Sequence, residues 1–492
     1  MSQYSPKSLS ALGLRAPNDI AVTGICVDSR MTKPGMLFAA LPGTNLHGGR
    51  FIEYALRMDA TAILTDPEGA EIAKNELAKS SAQLVITDHP RRALALAASR
   101  FYTGQPKIIA AVTGTNGKTS VANFTQQIWT GLGARAVNFG TAGVEGAVDA
   151  PLGHTTPEPI TLHRLLGDLQ TQGVTHAAME ASSHGLVQNR LDGVVLTAAG
   201  FTNFSQDHLD YHTTFDAYFD AKMGLFTRVL PKGATAVVNL LDPKGPEVAE
   251  IARNAGSQVL TVGSAEADLA LSGHRFTDTG QDVQLDWQDK GARVHLPLIG
   301  KFQAENICVA LGLVLASGAK FSDCLPILPR LQGVRGRMEL VAKRTNEAPV
   351  YVDYAHTPDA VETALTALRP HVMGRIIVVL GAGGDRDPGK RPLMGKAASV
   401  HADLVYVTDD NPRTEDPADI RQQVLAGAPE ATEIGDRAHA ILAGVDALRS
   451  GDALLIAGKG HERGQIIGTD VYPFDDAEQA SIAVAALDGL GT

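Results

Sequence analysis

The chain has 492 residues, which is too long for one hydrophobic core and predicts about three domains. Its net charge of −11 and aromatic content of 5% argue against nucleic acid or an anionic membrane as the main partner. Three scattered cysteines fit neither a disulfide framework nor a metal site, and no apolar run approaches the roughly 20 residues of a membrane span, so we expect a soluble, cytoplasmic monomer without a signal peptide.

The predicted elements fall into three successive blocks. In residues 1–105, short apolar runs are broken by turn residues, as where Pro42 and Gly43 follow the run 36–41. In residues 106–330, strands of a buried type alternate with helical stretches. An Asp- and Gly-rich stretch at 262–298 is predicted as a β-insertion or meander. The alternation resumes in residues 331–492.

Strands that alternate with helices predict parallel sheets built of βαβ units. The predicted strands of the second and third blocks are 108–112, 177–179, 198–204, 236–238, 350–352, 376–380, 404–407 and 453–457. The predicted fold class is therefore α/β with three domains: a smaller N-terminal α/β domain, a central parallel-sheet domain and a C-terminal Rossmann-like domain.

A glycine-rich loop, VTGTNGKTS, joins the first strand of the second block to a helix. Its glycines let backbone N–H groups face a phosphate, Lys118 adds a positive charge, and Thr119 offers a hydroxyl to Mg²⁺. Val112 stands where the full P-loop pattern has glycine, so the match is to a shorter form, and a plain glycine-rich turn is the alternative. We predict a P-loop ATPase domain that binds ATP or GTP through Gly114, Thr115, Asn116, Gly117, Lys118, Thr119 and Ser120.

Three further residues of the second block are candidates for metal or transfer chemistry. Glu180 ends a predicted strand, where a carboxylate can hold Mg²⁺; an ordinary exposed glutamate is the alternative. His208 lies in the segment NFSQDHLDYH, which contains no cysteine to indicate zinc. A structural histidine is the alternative, and the presence of Glu180 and the nucleotide loop favours a Mg²⁺ ligand. From the residues alone, Lys222 is interpreted as a solvated lysine on a helix.

An acidic segment, TDDNPRTED at 408–416, follows a predicted strand of the third block. It presents one arginine, Arg413, on a turn stiffened by Pro412. We expect this guanidinium to receive an anion. Its acidic neighbours Asp409, Asp410, Glu415 and Asp416 are assigned in part to solvation, and Asp416 is given no other role.

Eight segments in this order resemble the Mur ligase family, and most closely its members that add diaminopimelate to the peptidoglycan stem peptide. They are GTNGKT, HTTPE, MEASSHGLVQNR, TNFSQDHLDYH, DYAHTPDA, GAGGDRDPGKRPLMG, DDNPRTED and GKGHE. The resemblance covers nearly the whole chain. It implies a UDP-binding domain, a central ATPase domain and a C-terminal domain that brings the amino acid. It also implies amide synthesis from ATP through an acyl phosphate.

The resemblance also implies roles in catalysis and ATP binding. Thr119, Glu180 and His208 would hold Mg²⁺, and Lys118 would neutralise phosphate charge. Lys222 would be carbamylated by CO₂ and so become an anion that positions a second Mg²⁺, which reverses its interpretation from the residues alone. Further ATP contacts would be Asn306, Arg337, Asp353 and His356.

The remaining implied contacts are with UDP-N-acetylmuramoyl-L-alanyl-D-glutamate and meso-diaminopimelate. The nucleotide-sugar contacts would be Val27, Ser29, Thr44, Asn45, Leu46, His154, Thr155, Thr156, Ser182, Gln188 and Arg190. For the hydroxyl side chains, local backbone capping is the alternative. The diaminopimelate contacts would be Arg386, Asp410, Asn411, Pro412, Arg413, Gly458 and Glu462. Arg413 would bind the carboxylate that lysine lacks.

Four alternatives stay open at this point. The same ligation with lysine or ornithine is disfavoured by Arg413, and a folylpolyglutamate synthetase by the segments HTTPE and DDNPRTED. A nucleotide-dependent switch protein would have no use for the donor and acceptor segments. A nucleic-acid ATPase is disfavoured by the net charge and the low aromatic content.

Overall fold

The computed structural model describes residues 4–43, 46–140, 143–152, 156–205, 214–277 and 279–489. The chain forms two compact units. The first unit comprises the residues up to Ala270 together with Glu305–Cys324. The second unit comprises Leu271–Ala304 together with the residues from Leu325 onward.

The first unit begins with a small four-stranded parallel sheet, in the order β3-β4-β5-β6, beside the antiparallel pair β1-β2. Its elements are β1 (Lys7–Ser8), β2 (Ala21–Val22), β3 (Ile25–Cys26), β4 (Leu37–Ala39), α1 (Ile52–Arg57), β5 (Ala62–Thr65), α2 (Pro67–Ile72), α3 (Lys74–Leu77), β6 (Gln83–Ile86) and α4 (Pro90–Phe101). Pro90 fits the first position of α4, where no backbone donor is needed. Leu94, Ala97, Ala98 and Phe101 recur at helical spacing and bury one face of α4.

The large sheet of the first unit has the strand order β13-β12-β11-β7-β10-β8-β9, and only β9 is antiparallel. The elements are β7 (Ile108–Thr113), α5 (Lys118–Gly131), β8 (Ala136–Gly140), β9 (Gly143–Gly146), α6 (Pro159–Thr171), β10 (His176–Glu180), α7 (Ser183–Val187), β11 (Ala198–Phe201), α8 (Phe215–Gly224), β12 (Thr235–Asn239), α9 (Gly245–Asn254), β13 (Gln258–Gly263), β14 (Leu269–Thr277), α10 (Lys301–Ala316) and α11 (Phe321–Cys324). A π-helix, Leu225–Val229, continues α8. The central strands are buried on both faces, which explains their continuous apolar sequences.

The second unit contains an antiparallel meander and a six-stranded sheet in the order β17-β18-β22-β19-β20-β21. After β14, which begins in the first unit, its elements are β15 (Gly280–Trp287), β16 (Lys290–Leu296), β17 (Glu339–Lys343), β18 (Pro349–Asp353), α12 (Pro358–Leu368), β19 (Ile376–Leu380), α13 (Lys390–His401), β20 (Leu404–Val407), α14 (Pro417–Leu425), β21 (Thr432–Glu433), α15 (Arg437–Asp446), β22 (Ala453–Ala457), β23 (Gly464–Ile467), β24 (Asp470–Pro473) and α16 (Asp476–Asp488).

Two hydrophobic clusters cover opposite faces of the six-stranded sheet. Val378 and Leu380 belong to one cluster, and Ile377 and Val379 belong to the other, as the alternation of side chains along β19 requires. Helices therefore pack on both faces, and the sheet is doubly wound; only β17 runs antiparallel.

The predicted fold class is confirmed: the protein is α/β with parallel-rich sheets. All eight strands predicted in the second and third blocks are present, and the meander predicted at 262–298 corresponds to the strands from β14 to β16. No helix in the described ranges is long and apolar enough to cross a bilayer. Cys26, Cys308 and Cys324 are buried free thiols.

Candidate functional site

The predicted nucleotide residues follow the carboxyl ends of adjacent strands in the first unit. Because β11, β7, β10 and β8 are parallel neighbours, their carboxyl ends lie along one edge of the sheet. The loop 114–117 follows β7 and leads into α5, and Glu180 is the last residue of β10. Ligands of open α/β sheets bind at this edge.

Glycine is needed at both glycine positions of the nucleotide loop. Gly114 has a φ of +153°, and a Cβ there would lie 1.9 Å from the Thr202 hydroxyl oxygen. Gly117 has a φ of +84°, and its Cβ would lie 2.3 Å from Asn306 Oδ1. The same contact brings the predicted ATP residue Asn306 to the loop. The backbone N–H groups at the start of α5, which begins at Lys118, are available for an anion.

Two lysines converge on one carbonyl of this loop. Lys118 Nζ lies 2.9 Å and Lys222 Nζ 2.7 Å from the carbonyl oxygen of Gly114. Lys222 is only 1% exposed and lies 4.3 Å from the ring centre of Tyr218. The interpretation of Lys222 as a solvated lysine was therefore wrong. Two ammonium groups at one carbonyl favour the binding of a polyanion.

Oxygen side chains surround the position where Gly140 lacks a Cβ. That Cβ would lie 3.2 Å from Glu180 Oε1, 3.4 Å from Asn138 Oδ1 and 3.6 Å from the methyl group of Thr119. Glu180 is 2% exposed, so the alternative of an ordinary exposed glutamate was wrong. Carboxylate and amide oxygens are ligands that Mg²⁺ accepts, so Glu180 and Asn138 fit the ion.

Two other observations bear on this oxygen-lined position. Across the described ranges, no three His, Cys, Asp or Glu side chains form a metal-binding group. The predicted ligand His208 lies outside the described residues. Asn138 was missed by the sequence analysis, although a single polar residue in the strand sequence AVNFG is a usable signal.

Four predicted nucleotide-sugar contacts lie together: Ser182, Gln188 and Arg190 follow β10, and Thr156 reaches them from the segment before α6. Arg190 Nη1 donates to the carbonyl oxygen of Thr156 at 2.6 Å, and Arg190 Nε and Nη2 donate to Gln188 Oε1 at 3.1 and 2.8 Å. The hydroxyls of Thr156 and Ser182 are 3.1 Å apart. Ser182 also caps α7 by accepting from the Gly185 N–H, so the capping alternative describes it correctly.

The other predicted nucleotide-sugar contacts lie near the start of the chain or outside the described residues. Val27 and Ser29 follow β3, and Leu46 is 54% exposed. Thr44, Asn45, His154 and Thr155 lie outside the described residues.

In the second unit, the predicted residues again follow the carboxyl ends of neighbouring strands. The strands β18, β22, β19 and β20 are adjacent and parallel. They are followed by 353–356, 458–462, 381–389 and 408–416. All predicted diaminopimelate residues lie in the last three of these segments, at the edge where doubly wound sheets bind ligands.

Arg337, Asp353 and His356 meet around Tyr354. The Tyr354 ring centre lies 4.8 Å from Arg337 Cζ, and 4.5 and 5.2 Å from the ring centres of His356 and His461. Asp353 accepts a backbone N–H at 2.7 Å, and burial raises the pKa of this half-buried residue to about 6. Tyr354 and His461 were missed by the sequence analysis, although both stand inside quoted motifs.

Arg413 is held by its backbone in a left-handed conformation, with a φ of +51°. Its N–H donates to the carbonyl of Ile466 at 3.0 Å, and its carbonyl accepts from Gly468 N–H at 2.7 Å. Its Nη1 donates to the carbonyl oxygen of Gly384 at 2.8 Å. No carboxylate of the described chain lies within ion-pair distance of this half-buried guanidinium. It is therefore available to an external carboxylate.

A buried lysine joins two of the predicted diaminopimelate residues. Lys459 is 0% exposed and donates to Asn411 Oδ1 at 3.0 Å and to Glu462 Oε2 at 3.3 Å. Asn411 Nδ2 donates to the same Glu462 oxygen at 2.8 Å. Gly458 has a φ of +117°, and a Cβ there would lie 2.6 Å from Asp410 Oδ2. Lys459 was not predicted as a site residue from the sequence.

The remaining predicted residues and the acidic neighbours of Arg413 have different environments. Arg386 is exposed, and Pro412 is buried. Glu415 pairs with the buried guanidinium of Arg391, and Asp416 caps α14, so these two carboxylates have structural contacts in addition to the predicted solvation.

Comparisons with known proteins give a consistent set of relatives. Three family models match: "Mur ligase family, catalytic domain" at 21–102, "Mur ligase middle domain" at 112–314, and "Mur ligase, glutamate ligase domain" at 336–460. The "UDP-N-acetylmuramoyl-L-alanyl-D-glutamate--2,6-diaminopimelate ligase" of Bradyrhizobium diazoefficiens is 48% identical over 95% of this chain and 96% of its own. The protein of the same name from Caulobacter vibrioides is 47% identical over 96% and 97%.

Solved structures agree with these relatives. A structure of a protein with the same name has a TM-score of 0.74 and 33% identity, and covers 98% of this chain and 99% of that one. MurF ligase from Thermotoga maritima, solved in complex with ADP, has a TM-score of 0.61 over 94% of this chain and 97% of its own. At 17% identity this second likeness shows the fold alone.

Proposed function

The chain belongs to the Mur ligase family, and we propose that it joins meso-diaminopimelate to UDP-N-acetylmuramoyl-L-alanyl-D-glutamate with ATP as co-substrate. The names of its full-length relatives support this assignment. We further propose that the protein is a cytoplasmic monomer in peptidoglycan precursor synthesis. Its three domains would be 1–105, 106–330 and 331–492.

The nucleotide loop supports the binding of ATP phosphates. The helix N-terminus at Lys118, together with the ammonium group of Lys118 itself, supplies positive charge at one place. In the proposed reaction the substrate carboxylate attacks the γ-phosphorus and ADP leaves. The amine of diaminopimelate then attacks the acyl phosphate, loses a proton and expels phosphate. Lys118 would neutralise the charge on the transferred group.

We propose that Thr119, Glu180 and His208 hold Mg²⁺. The ion would neutralise phosphate charge when bound. Support comes from the oxygen side chains around Gly140, to which Asn138 contributes an amide oxygen. Burial of Glu180 keeps its carboxylate at a fixed position at the end of β10.

We also propose that Lys222 is carbamylated. Its neutral amine would add to CO₂ and lose one proton, which leaves an anionic carbamate. The carbamate would add a negative charge beside the nucleotide loop, where a second Mg²⁺ would balance it. The burial of Lys222 supports the modification, because an exposed lysine would remain charged and hydrated.

The observation that carries the choice of amino acid is the environment of Arg413. Its backbone is fixed by two hydrogen bonds, and its guanidinium pairs with no carboxylate of the described chain. A second carboxylate on the incoming amino acid would complete the pair bidentately. Lysine lacks that carboxylate and would leave the cation unpaired, which disfavours it. Glu462 would accept the ammonium group at the same end of diaminopimelate.

The test is phosphate release from ATP by the purified protein with UDP-N-acetylmuramoyl-L-alanyl-D-glutamate. Meso-diaminopimelate and L-lysine are supplied separately, to the wild type and to Arg413→Ala. We expect release only with diaminopimelate, and its loss in the variant. The matched control is Arg449→Ala, because this exposed arginine precedes β22 and lies away from the carboxyl ends of the strands.

Each other outcome has a definite meaning. Equal release with lysine would leave a ligase but refute the role of Arg413 in specificity. ATP turnover without either substrate would favour a nucleotide-dependent switch. Loss of release in Arg449→Ala as well would mean that the loss is not specific to Arg413 and would refute its proposed role.

A further inference from the structure

An ion pair lies beneath the two loops that surround Arg413. Arg391 is 0% exposed, and its Nη1 and Nη2 donate to the two carboxylate oxygens of Glu415 at 2.8 and 2.7 Å. The hydrogen bonds from Arg391 lower the pKa of Glu415 to about 2, so the pair is ionised at neutral pH. We name residues 408–416 the arginine loop and residues 381–389 the glycine loop.

The pair connects both loops to the helices behind them. Arg391 stands in the first turn of α13 and also donates to Gln423 on α14 at 2.9 Å. Its Nη2 donates to the carbonyl of Gly383 in the glycine loop at 3.2 Å. Glu415, in the arginine loop, accepts the N–H of Asp385 in the glycine loop at 2.5 Å.

The same two loops determine where the Arg413 side chain points. Arg413 Nη1 donates to the Gly384 carbonyl, and Gly384 N–H donates to the carbonyl of Asn411 at 2.9 Å. Thr414 Oγ1 donates to Asp385 Oδ1 at 2.6 Å. Arg413 and Asp385 both have left-handed backbones, with φ of +51° and +53°. Such conformations in non-glycine residues persist only where the surroundings hold them.

The Arg391 guanidinium donates to both carboxylate oxygens of Glu415, but not all of its own donors are paired. Its Nε is buried and has no hydrogen-bond partner in the described part of the chain. An unsatisfied buried donor is unfavourable, so packing alone does not explain this orientation. The orientation does serve the connection between the two loops.

We propose that Arg391 and Glu415 are positioning residues for amino-acid specificity: their ion pair holds the arginine loop against the glycine loop and so fixes the Arg413 guanidinium. This inference rests on the proposed function. Neither residue needs to touch the substrate, because the effect passes through the backbone on either side of Arg413.

The test uses the double variant Arg391→Met/Glu415→Gln, which removes both charges together and avoids a buried unpaired ion. We expect KM for diaminopimelate to rise about tenfold to a hundredfold, because a small misplacement of a positioning group has effects of this size. We expect KM for ATP to stay within about twofold, because the Arg391 guanidinium donates to Glu415, Gln423 and Gly383 and not to the predicted ATP contacts. The preference for diaminopimelate over lysine should fall with the rise in KM.

The control is Arg375→Met/Asp452→Asn. This pair has the same charge pairing at 2.7 Å and lies in the same unit, but it touches neither loop. If both double variants change KM equally, or if the first retains its preference for diaminopimelate, the proposal is wrong. A wild type without diaminopimelate-dependent phosphate release would instead refute the proposed function.

A second variant covers the case in which the double variant does not fold. Glu415→Asp keeps the charge but shortens the reach, and the Glu415 side chain is 34% exposed, so the fold should tolerate it. We expect a selective rise in KM for diaminopimelate, smaller than in the double variant, with kcat unchanged at saturation. Unchanged KM in this folded variant would overturn the proposal.

Discussion

Replacing Arg437 by methionine removes the positive half of a buried ion pair in the second unit. Arg437 and Asp476 are both 0% exposed, and Nε and Nη2 each donate to a different Asp476 oxygen at 2.7 Å. Nη2 also donates to the carbonyl of Ala457 at 3.0 Å, and Nη1 to that of Asp409 at 3.3 Å. One guanidinium therefore links the Asp476 carboxylate of α16 to backbone carbonyls at the end of β22 and just after β20.

The expected effect follows from the buried carboxylate that is left behind. Removal of one partner from a buried pair lowers the free energy of unfolding by about 3–5 kcal/mol. The double variant Arg437→Met/Asp476→Leu should lose about 1 kcal/mol or less, because well-packed apolar side chains often replace a buried pair without loss. Asp475 still caps α16 in that variant.

The assay uses the distribution of the two tryptophans, Trp129 in the first unit and Trp287 in the second. In a Trp129→Phe background, urea unfolding of the second unit is followed by the fluorescence of Trp287. Lys343→Met is the control, because it breaks an exposed pair of 3.9 Å and should leave the midpoint unchanged. A loss below about 1 kcal/mol in Arg437→Met, or a double variant no more stable than the single one, would refute the reasoning.

Three further substitutions test separate parts of the structure. Gly117→Ala should raise the Kd for ATP at least about tenfold, because a left-handed alanine is strained and its methyl would meet a side-chain oxygen at 2.3 Å. Gly133→Ala, at φ +89° with open space around it, is the control and should leave ATP binding unchanged in calorimetry. Asp353 has a folded pKa of about 6 against an ordinary 3.8, so its stabilising contribution is complete below pH 3.8 and is lost as pH rises through 6. Asp353→Asn should therefore be more stable than the wild type at pH 7.5, by at most about 3 kcal/mol, and lose this advantage near pH 4 in urea titrations. Gly458→Ala should raise KM for diaminopimelate while KM for ATP stays constant, because the added methyl would displace the Asp410 carboxylate; parallel rises in both constants would contradict this.

The strands of both large sheets were predictable because burial on two faces leaves a simple pattern. The apolar runs at 376–380 and 453–457 coincide with β19 and β22. The strand β8, Ala136–Gly140, was not predicted, because Asn138 and Gly140 interrupt its apolar sequence. A continuous apolar sequence predicts a buried strand, and a polar side chain placed beside a binding site interrupts that sequence.

Site residues could be predicted where they stand in short motifs. They could not be predicted where charged groups far apart in the sequence come into contact. The glycines of the nucleotide loop and Arg413 stand in recognisable segments. Lys222 meets the Gly114 carbonyl 108 residues away, and Lys459 meets Asn411 across 48 residues. Such partners decide whether a lysine is solvated or buried, and only the folded chain brings them together.

The three buried thiols allow local opening of the first unit to be measured by chemical labelling. Burial raises the pKa of Cys308 and Cys324 to about 12, and it also raises that of Cys26. A thiol reagent reacts with the thiolate, so near neutral pH it reaches each cysteine only after the surrounding element has opened. Cys26 stands in β3, Cys308 in α10 and Cys324 in α11. Labelling rates read by mass spectrometry would therefore time the opening of three separate regions without any added probe.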